Sequence, residues 1–264
     1  MTAPDPRPGA PGAPAAPRRM PRFGRVLARC FFIQAAWNYE TLMGTGFGAA
    51  GEPVLRDLPG GPGGGPYRVA LTRETGFFNA HPYLAGLAIG AATRAELDGE
   101  DPAKIERLRA ALCGPLGSVG DRLFWASWLP ACVAVGLLLA ALGLRGWAVV
   151  ALLVLYNAAH VGCRVWALAA GWAQGLHVGS ALGAPLLRRA GQVAAPIAAF
   201  TVGAMLPVQL GAQLAGAPPA AVLIGVAAAG AVAGLIKLLA PRASGSAVAA
   251  SVLALVWIAG RLWP

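Results

Sequence analysis

An eight-residue stretch decides how the rest of the chain is organised: Gly114-Pro115-Leu116-Gly117-Ser118-Val119-Gly120-Asp121. Three glycines and one proline weaken a regular helix, because glycine is conformationally free and proline lacks a backbone donor. The stretch therefore predicts a break between a charged helical segment and the first long uncharged run. In a membrane protein, broken backbone is tolerated only where protein or a water-filled cavity surrounds it, so the break is also a candidate solute site.

The composition on both sides of this stretch is typical of an integral membrane protein. Of 264 residues, 57% are hydrophobic and only 12% are charged, which lies outside the range of soluble domains. All eleven acids lie at or before Asp121, and the 143 residues after it contain eight bases and no acid. Uncharged runs with basic flanks are typical of membrane spans. The net charge of +10 is carried mostly by scattered single bases, which favours a membrane surface over nucleic acid as the partner.

The amino-terminal residues 1–22 are rich in proline, alanine, glycine and arginine, and predict a disordered tail. A cluster of arginines ends this tail without a following apolar core of the kind that a cleavable signal needs, which predicts a cytoplasmic amino terminus. The four cysteines show no Cys-x-x-Cys spacing and predict buried free thiols.

Residues 23–122 predict an amphipathic and re-entrant helical part with motif loops. Val26 to Ala50 has helical spacing and several aromatic residues, which predicts one interfacial helix. Pro59 to Pro66 predicts a flexible linker without structure. Leu71 to Leu97 predicts a helix, a turn at Pro82 and a second helix that together dip into the membrane, because proline excludes the preceding residue from the helical region. The pair Asp101-Pro102 then predicts the start of a short charged helix that ends near Leu112.

Residues 123–264 predict a transmembrane helical part. Leu123 to Leu144 is an uncharged run long enough to cross the bilayer, and Trp147 to Gly171 is long enough for a second span. The second run contains Asn157, His160 and Arg164 at steps of three and four, so all three are predicted on one inward face. A loop is predicted from residue 171 to 189, two helices between 190 and 236, and a last helix over 247–263. The whole chain thus predicts an all-α, polytopic integral membrane protein with re-entrant or broken helices.

Four blocks of this sequence resemble, in order, the motifs of the IID component of the mannose-type (mannose/fructose/sorbose) sugar phosphotransferase system. They are Phe31-Phe32-Ile33-Gln34-Ala35-Ala36-Trp37-Asn38-Tyr39-Glu40 with Gly46-Phe47, then Phe77-Phe78-Asn79-Ala80-His81-Pro82-Tyr83, then Cys113 to Asp121 with Phe124-Trp125, and finally Leu155-Tyr156-Asn157 with Arg164. The resemblance covers residues 25 to about 180. Beyond that it is one of hydropathy and length, and the chain looks shorter than typical members.

The resemblance implies a membrane subunit that pairs with a IIC subunit to import a mannose-class hexose, while separate cytoplasmic IIA and IIB proteins carry the phosphoryl group. It implies a multi-pass protein of the inner (cytoplasmic) membrane that joins a higher oligomer and has no catalytic residue or cofactor of its own. The shorter carboxyl-terminal part, and His160 where the family often has arginine, leave a second reading open: a transport-inactive interaction or regulatory protein of the same family. A membrane enzyme that uses His81 or His160 is a third, weaker reading.

Candidate sugar-binding residues come from the polar groups of the second and third blocks: Asp121, Asn79, His81, Gly117 and Gly120. Sugars are held by carboxylates, amides and free backbone groups that bond to hydroxyls in pairs. For Asp121 a helix cap or an ion pair with a basic residue such as Arg164 is the competing role. Hydrogen bonding that merely fixes the turn is the competing role for Asn79 and His81.

Residues expected to contact the partner subunit, or to act structurally, come from the first and fourth blocks: Trp37, Asn38, Glu40, Asn157 and Arg164. An arginine within a membrane span needs a partner, and no acid follows Asp121, so the acid that pairs with Arg164 is expected from the first half or from another chain. No metal site is expected, since the histidines at 81, 160 and 177 match no ligand spacing.

Overall fold

The computed structural model describes residues 19–183 continuously, together with scattered positions between 185 and 254. The chain divides into two compact units, Met1–Met205 and Leu206–Pro264, and almost all described residues belong to the first. Most of the predicted tail, the division of residues 190–236 into two helices and the last helix over 247–263 lie outside the described residues. The boundary between residues 122 and 123 stays a prediction.

Every regular element in residues 19–183 is a helix, which confirms the all-α prediction. The α-helices are α1 Phe23–Cys30, α2 Gly44–Leu55, α3 Gly65–Thr75, α4 Ala85–Leu97, α5 Pro102–Gly120, α6 Leu129–Ala141 and α7 Arg145–Gln174. A π-helical segment, Asp121–Trp128, joins α5 to α6, and short 3-10 helices occupy Gly61–Gly63 and Gly175–Gly183. The loop predicted over 171–189 is therefore wrong as far as residue 183, because α7 passes directly into a 3-10 helix.

The predicted break at Gly114 to Asp121 is wrong: α5, the π-helical segment and α6 form one helical run from Pro102 to Ala141. Leu112, Leu116 and Gly120 are buried at steps of four, so this face packs against the core. Packing of that face outweighs the weak helix propensity of Pro115 and the glycines, which is a common outcome where tertiary contacts oppose propensity. The irregularity appears after the glycines, as the π-helical segment.

Among the residues that the structure describes, two helices are long and apolar enough to cross a membrane: Pro102–Ala141 and Arg145–Ala181. The second contains the predicted span Trp147 to Gly171. The first helix begins far earlier than the predicted Leu123, because the charged helix and the span belong to one continuous helical run.

The single helix predicted over Val26 to Ala50 is wrong, because turns separate α1 from α2. Asn38 shapes these turns: its Oδ1 accepts hydrogen bonds from the backbone N–H groups of Glu40 and Thr41, at 2.9 and 2.8 Å. An asparagine side chain that bonds to the backbone two and three residues on competes with helix formation. The linker predicted over 59–66 is also partly structured, since a 3-10 turn is followed by α3 from Gly65.

The predicted helix-turn-helix is present as α3, a connection of residues 76–84, and α4. We call residues 76–84 the central turn. Helix α4 is the core of the described unit: its residues from Ala85 to Thr93 are all buried, and it packs most extensively against α7. The central turn is thereby held in the interior, at the amino-terminal end of the core helix. A dip of this hairpin into the membrane stays a prediction.

Helix α5 begins at a side-chain cap that can be tested directly. The Asp101 carboxylate accepts a hydrogen bond from the Ala103 backbone N–H at 3.0 Å, and Pro102 occupies the first helical position. Because the cap satisfies an otherwise free donor, we expect Asp101→Ala to lower the free energy of unfolding by about 1 kcal/mol. Titration of the purified protein with denaturing detergent, followed by circular dichroism, measures the change. Asp101→Asn caps equally well and serves as the control, so equal losses in both variants would contradict the cap.

Candidate functional site around the central turn

His81 lies buried in the central turn, against the long helix that carries the third block. Its side chain is 1% exposed, and its ring stacks on Phe124 with centroids 5.2 Å apart and planes at 16°. Gly120 lies against the same ring: a Cβ atom there would stand 2.2 Å from the His81 Cβ. The structure therefore brings together Gly120 and His81, two of the five predicted sugar-binding residues, and shows that the glycine serves close approach rather than a bend.

One hydrogen bond of the His81 side chain indicates its tautomer. Its Nδ1 accepts from the Tyr83 backbone N–H at 3.3 Å, so the proton of the neutral ring sits on Nε2. Burial and the nearby Arg164 charge lower the pKa of His81 to about 4, which keeps the ring neutral. Nε2 is buried and has no hydrogen-bond partner among the described residues. Within the described part of the chain, His81 thus presents one buried donor without a partner.

Tyr83, in the central turn, contacts α7 through both its ring and its hydroxyl group. The hydroxyl oxygens of Tyr83 and Tyr156 are 2.6 Å apart, and the Tyr83 ring stacks on His160 at 4.8 Å and 21°. Neither tyrosine was singled out from the sequence, although both stand inside the quoted blocks. An aromatic residue two positions after a buried histidine gives no distinct signal, because such residues are common in any apolar core.

Arg164 points inward as predicted, but its partners are not acidic. Its side chain is buried and donates to the backbone carbonyls of Cys30 and, at 3.1 Å, of Pro82. Its guanidinium also lies over the rings of Phe31 and Tyr83, at 4.9 and 4.8 Å. No ion pair of Arg164 occurs among the described residues, so the expected acidic partner is wrong for this part of the chain. Carbonyl oxygens and ring faces can hold a guanidinium without a counter-charge.

A group of buried charges lies at the other end of the central turn. Arg73 and Glu96 form an ion pair at 2.8 Å, and Arg109 Nε stands 3.8 Å from the Glu74 carboxylate. Glu74 is fully buried, and both of its carboxylate oxygens lack hydrogen-bond partners among the described residues. Burial raises the pKa of Glu74 to about 7, although Arg109 opposes the rise. This group ties α3, α4 and α5 together.

The remaining candidate sugar ligands are not gathered around His81. Asn79 and Asp121 are exposed, and neither side chain makes a hydrogen bond or ion pair within residues 19–183. Asp121 lines a shallow hollow with Arg122, Trp125 and Ala126. It lies within a continuous helical run, so the predicted cap at the start of a new helix is wrong. Gly117 has open space where a side chain would stand.

The residues predicted to contact a partner also divide into two groups. Trp37 and Glu40 are exposed, whereas Asn38 is engaged in the turns before α2. Asn157 is exposed and donates to the Leu153 carbonyl of its own helix at 2.7 Å, so its predicted inward position is wrong. Arg164 alone of this set is buried.

An apolar cavity of about 360 Å³ lies between the π-helical segment and α7. Its lining includes Phe124, Trp128, Cys163 and Trp166. The polar pairs that a sugar requires are lacking in this lining. In the part of the chain that is described, no three histidine, cysteine or acidic side chains are grouped as a metal would require.

Comparison with known proteins gives a consistent result. The family model of the PTS system mannose/fructose/sorbose family IID component matches residues 21–215. The mannose-specific EIID component of Escherichia coli is 28% identical over 189 residues, which are 69% of this chain and 65% of that protein. The sorbose-specific EIID component of Klebsiella pneumoniae is 31% identical over 66% of this chain and 64% of its own length. The match thus spans slightly less than two thirds of these relatives.

Solved structures show the same fold. A cryo-electron microscopy structure of the mannose transporter ManYZ with a bound microcin contains a chain that is 25% identical, with a TM-score of 0.54 over 69% of this chain and 68% of that one. A second structure, described only as a membrane protein, has a TM-score of 0.67 at 21% identity over 93% of this chain and 98% of that one. The family match includes all four sequence blocks, which meet at the central turn through Phe31, Tyr83, Phe124 and Arg164. The chain therefore belongs to the mannose/fructose/sorbose family of IID components of the sugar phosphotransferase system.

Proposed function

We propose that this chain is the IID subunit of a sugar permease, which pairs with a IIC subunit and imports a mannose-class hexose for phosphorylation by a separate IIB protein. The observation that carries the proposal is the convergence of four distant sequence blocks on the central turn, in a chain that belongs to this family. The specific names of the relatives, mannose and sorbose among them, support a hexose as the solute.

The proposed assembly contains a IIC membrane subunit and receives phosphoryl groups from cytoplasmic IIA and IIB proteins. In this proposal the complex is a higher oligomer in the inner membrane, and this chain crosses the membrane more than once with a cytoplasmic amino terminus. The surface offered to IIC consists of exposed aromatic side chains of the first and second blocks, namely Phe32, Trp37, Tyr39 and Phe77. Large exposed aromatic groups are enriched at protein interfaces, which supports this surface as the one offered to IIC.

The chain is proposed to do no phosphoryl chemistry by itself. A phosphoacceptor must be reached by the donor protein, and His81 is 1% exposed behind Gly120 and Phe124. Its role in the proposal is to offer the Nε2 proton to the solute route when the surrounding helices move. Sugar recognition is then shared between this buried donor and groups at the surface.

The proposal is tested by transport in reconstituted membranes. The chain is co-expressed with a IIC subunit of the same family and reconstituted into proteoliposomes, and uptake of labelled mannose, fructose and sorbose is measured with phosphorylated IIB inside. We expect uptake and phosphorylation of at least one sugar that depend on both subunits. A stable complex with IIC that transports none of them would contradict the proposal and favour the transport-inactive alternative.

Asp121 gives a specific prediction for uptake. Asp121→Asn keeps the size of this exposed side chain but removes its charge and one acceptor. If the carboxylate bonds to the sugar, the KM for uptake should rise about tenfold, which corresponds to about 1.4 kcal/mol. Initial rates over a range of sugar concentrations measure the change.

Glu106→Gln is the matched control for Asp121→Asn, because Glu106 is an exposed acid on the same helical run without an ion pair in the described region. Its KM should remain that of the unsubstituted complex. A normal KM for Asp121→Asn in a fully assembled complex would remove Asp121 from the sugar site.

A further inference from the structure

Two buried arginines hold the central turn, one near each end. At the start of the turn, Arg109 Nη2 donates to the backbone carbonyls of Glu74 and Gly76, both at 3.1 Å. Near its end, Arg164 Nη1 donates to the carbonyl of Pro82 at 3.1 Å and to that of Cys30. Each guanidinium thus binds the turn and a neighbouring segment at the same time.

The two arginines belong to the two long helices. Arg109 lies on α5, in the helical run from Pro102 to Ala141, whereas Arg164 lies on α7. The turn also contacts the first run at Gly120, where the His81 ring leaves no room for a Cβ atom. A shift of one long helix against the other would therefore act on the same nine-residue segment, which both helices contact.

Ring faces complete both attachments. The guanidinium of Arg109 lies 4.9 Å from the centre of the Phe47 ring and 6.0 Å from that of Phe78. Arg164 lies between the rings of Phe31 and Tyr83. A planar guanidinium can stack on rings and donate in its own plane simultaneously, which the single ammonium of lysine cannot do.

We propose that Arg109 and Arg164 are positioning residues that fix the central turn between the two long helices, and so set the place of His81 and Asn79 along the solute route. The role of the turn in the solute route rests on the proposed function. The attachment itself rests only on the contacts of the two arginines. Neither arginine touches the sugar in this account, because both are buried and already bonded to backbone carbonyls.

Arg109→Lys and Arg164→Lys test the proposal while keeping the charge. Their controls are Arg107→Lys on α5 and Arg145→Lys on α7, since both of these arginines are exposed and make no hydrogen bond or ion pair within the described residues. Hydrogen–deuterium exchange of the purified chain reports on the turn without any need for transport. We expect exchange over residues 76–85 to become about tenfold faster in the two test variants and to stay unchanged in α4 beyond that point.

The second measurement is the KM for sugar uptake in the complex with IIC. We expect the KM to rise about tenfold in both test variants. A defect in folding alone would reduce the amount of complex and hence the maximal rate, but it would leave the KM unchanged. Exchange that equals the controls, exchange that rises equally throughout α4, or a KM equal to the controls would each overturn the proposal. If the unsubstituted complex transports nothing, the proposed function fails, and exchange confined to the turn still supports the attachment by both arginines.

Discussion

Gly120→Ala is expected to destabilise the protein by about 3 kcal/mol, at the upper end of the usual range for overpacked cores. The new Cβ atom would lie 2.2 Å from the Cβ and 2.3 Å from the Cγ of His81. The His81 Cβ cannot move away by a side-chain rotation, because its position is fixed by the backbone of the central turn. Either the turn or the long helix must shift, and the stacking of His81 on Phe124 is lost with it.

Gly117→Ala provides the matched control for Gly120→Ala. It lies three residues earlier on the same helix, and a Cβ atom there meets nothing within 4 Å. Alanine in an open helical position should stabilise the protein by about 0.5–1 kcal/mol. Thermal loss of monodisperse protein in mild detergent, measured for both variants, should therefore shift in opposite directions. A Gly120→Ala variant as stable as Gly117→Ala would show that the helix does not pack on His81.

Gly171→Ala is expected to separate the two most extensively packed helices, α4 and α7. A Cβ atom at Gly171 would lie 2.2 Å from the Leu87 carbonyl oxygen. The facing side of α4 offers no relief, since a Cβ at Gly90 would stand 2.5 Å from the Trp172 backbone nitrogen. Small residues spaced by four allow membrane helices to approach at the level of their backbones, and a larger residue forfeits that contact. We expect a loss of about 2–3 kcal/mol.

The control for this contact is Gly162→Ala, nine residues earlier on α7, where no atom lies within 4 Å of the added Cβ. Unfolding of the two variants in denaturing detergent, followed by tryptophan fluorescence, compares them directly, because Trp172 adjoins the contact. Equal unfolding curves for Gly171→Ala and Gly162→Ala would contradict the close packing of α4 on α7.

The parts of the fold that follow from local chemistry could be predicted from the sequence. The pair Asp101-Pro102 marks the start of α5, and the long apolar run from Trp147 marks α7. The break at Gly114 to Asp121 could not be judged locally, because glycine looks the same whether it bends a helix or lets another segment approach. Only the position of His81 shows that Gly120 serves the second purpose.

The inward position of Arg164 could be predicted, but its bonds could not. Arg164 is predicted on an inward helix face and is buried, whereas His81 is predicted only to line the solute route or to fix the turn, and the structure buries it. The sequence predicts an acidic partner for Arg164, whereas the structure supplies the carbonyls of Cys30 and Pro82. Backbone carbonyls are present at every residue, so a sequence carries no sign of which ones will bind an arginine. Backbone N–H groups are almost as common, so Asn38, whose Oδ1 accepts from two of them, could not be recognised as a turn-former within an apparently helical pattern.

The π-helical segment, Asp121–Trp128, sets the angular phase of the helix that contains it. In a uniform α-helix each residue advances by about 100°, so the face at Gly120 would determine the azimuth of every later residue. A π-helical stretch places more residues in each turn and delays that rotation. The side that α5 turns toward His81 and the buried side of α6, which includes Ala131 and Cys132, are therefore related by a different angle from the one that a uniform α-helix would impose. One continuous helical run can thus pack against two neighbouring segments that do not lie on the same face of a regular α-helix.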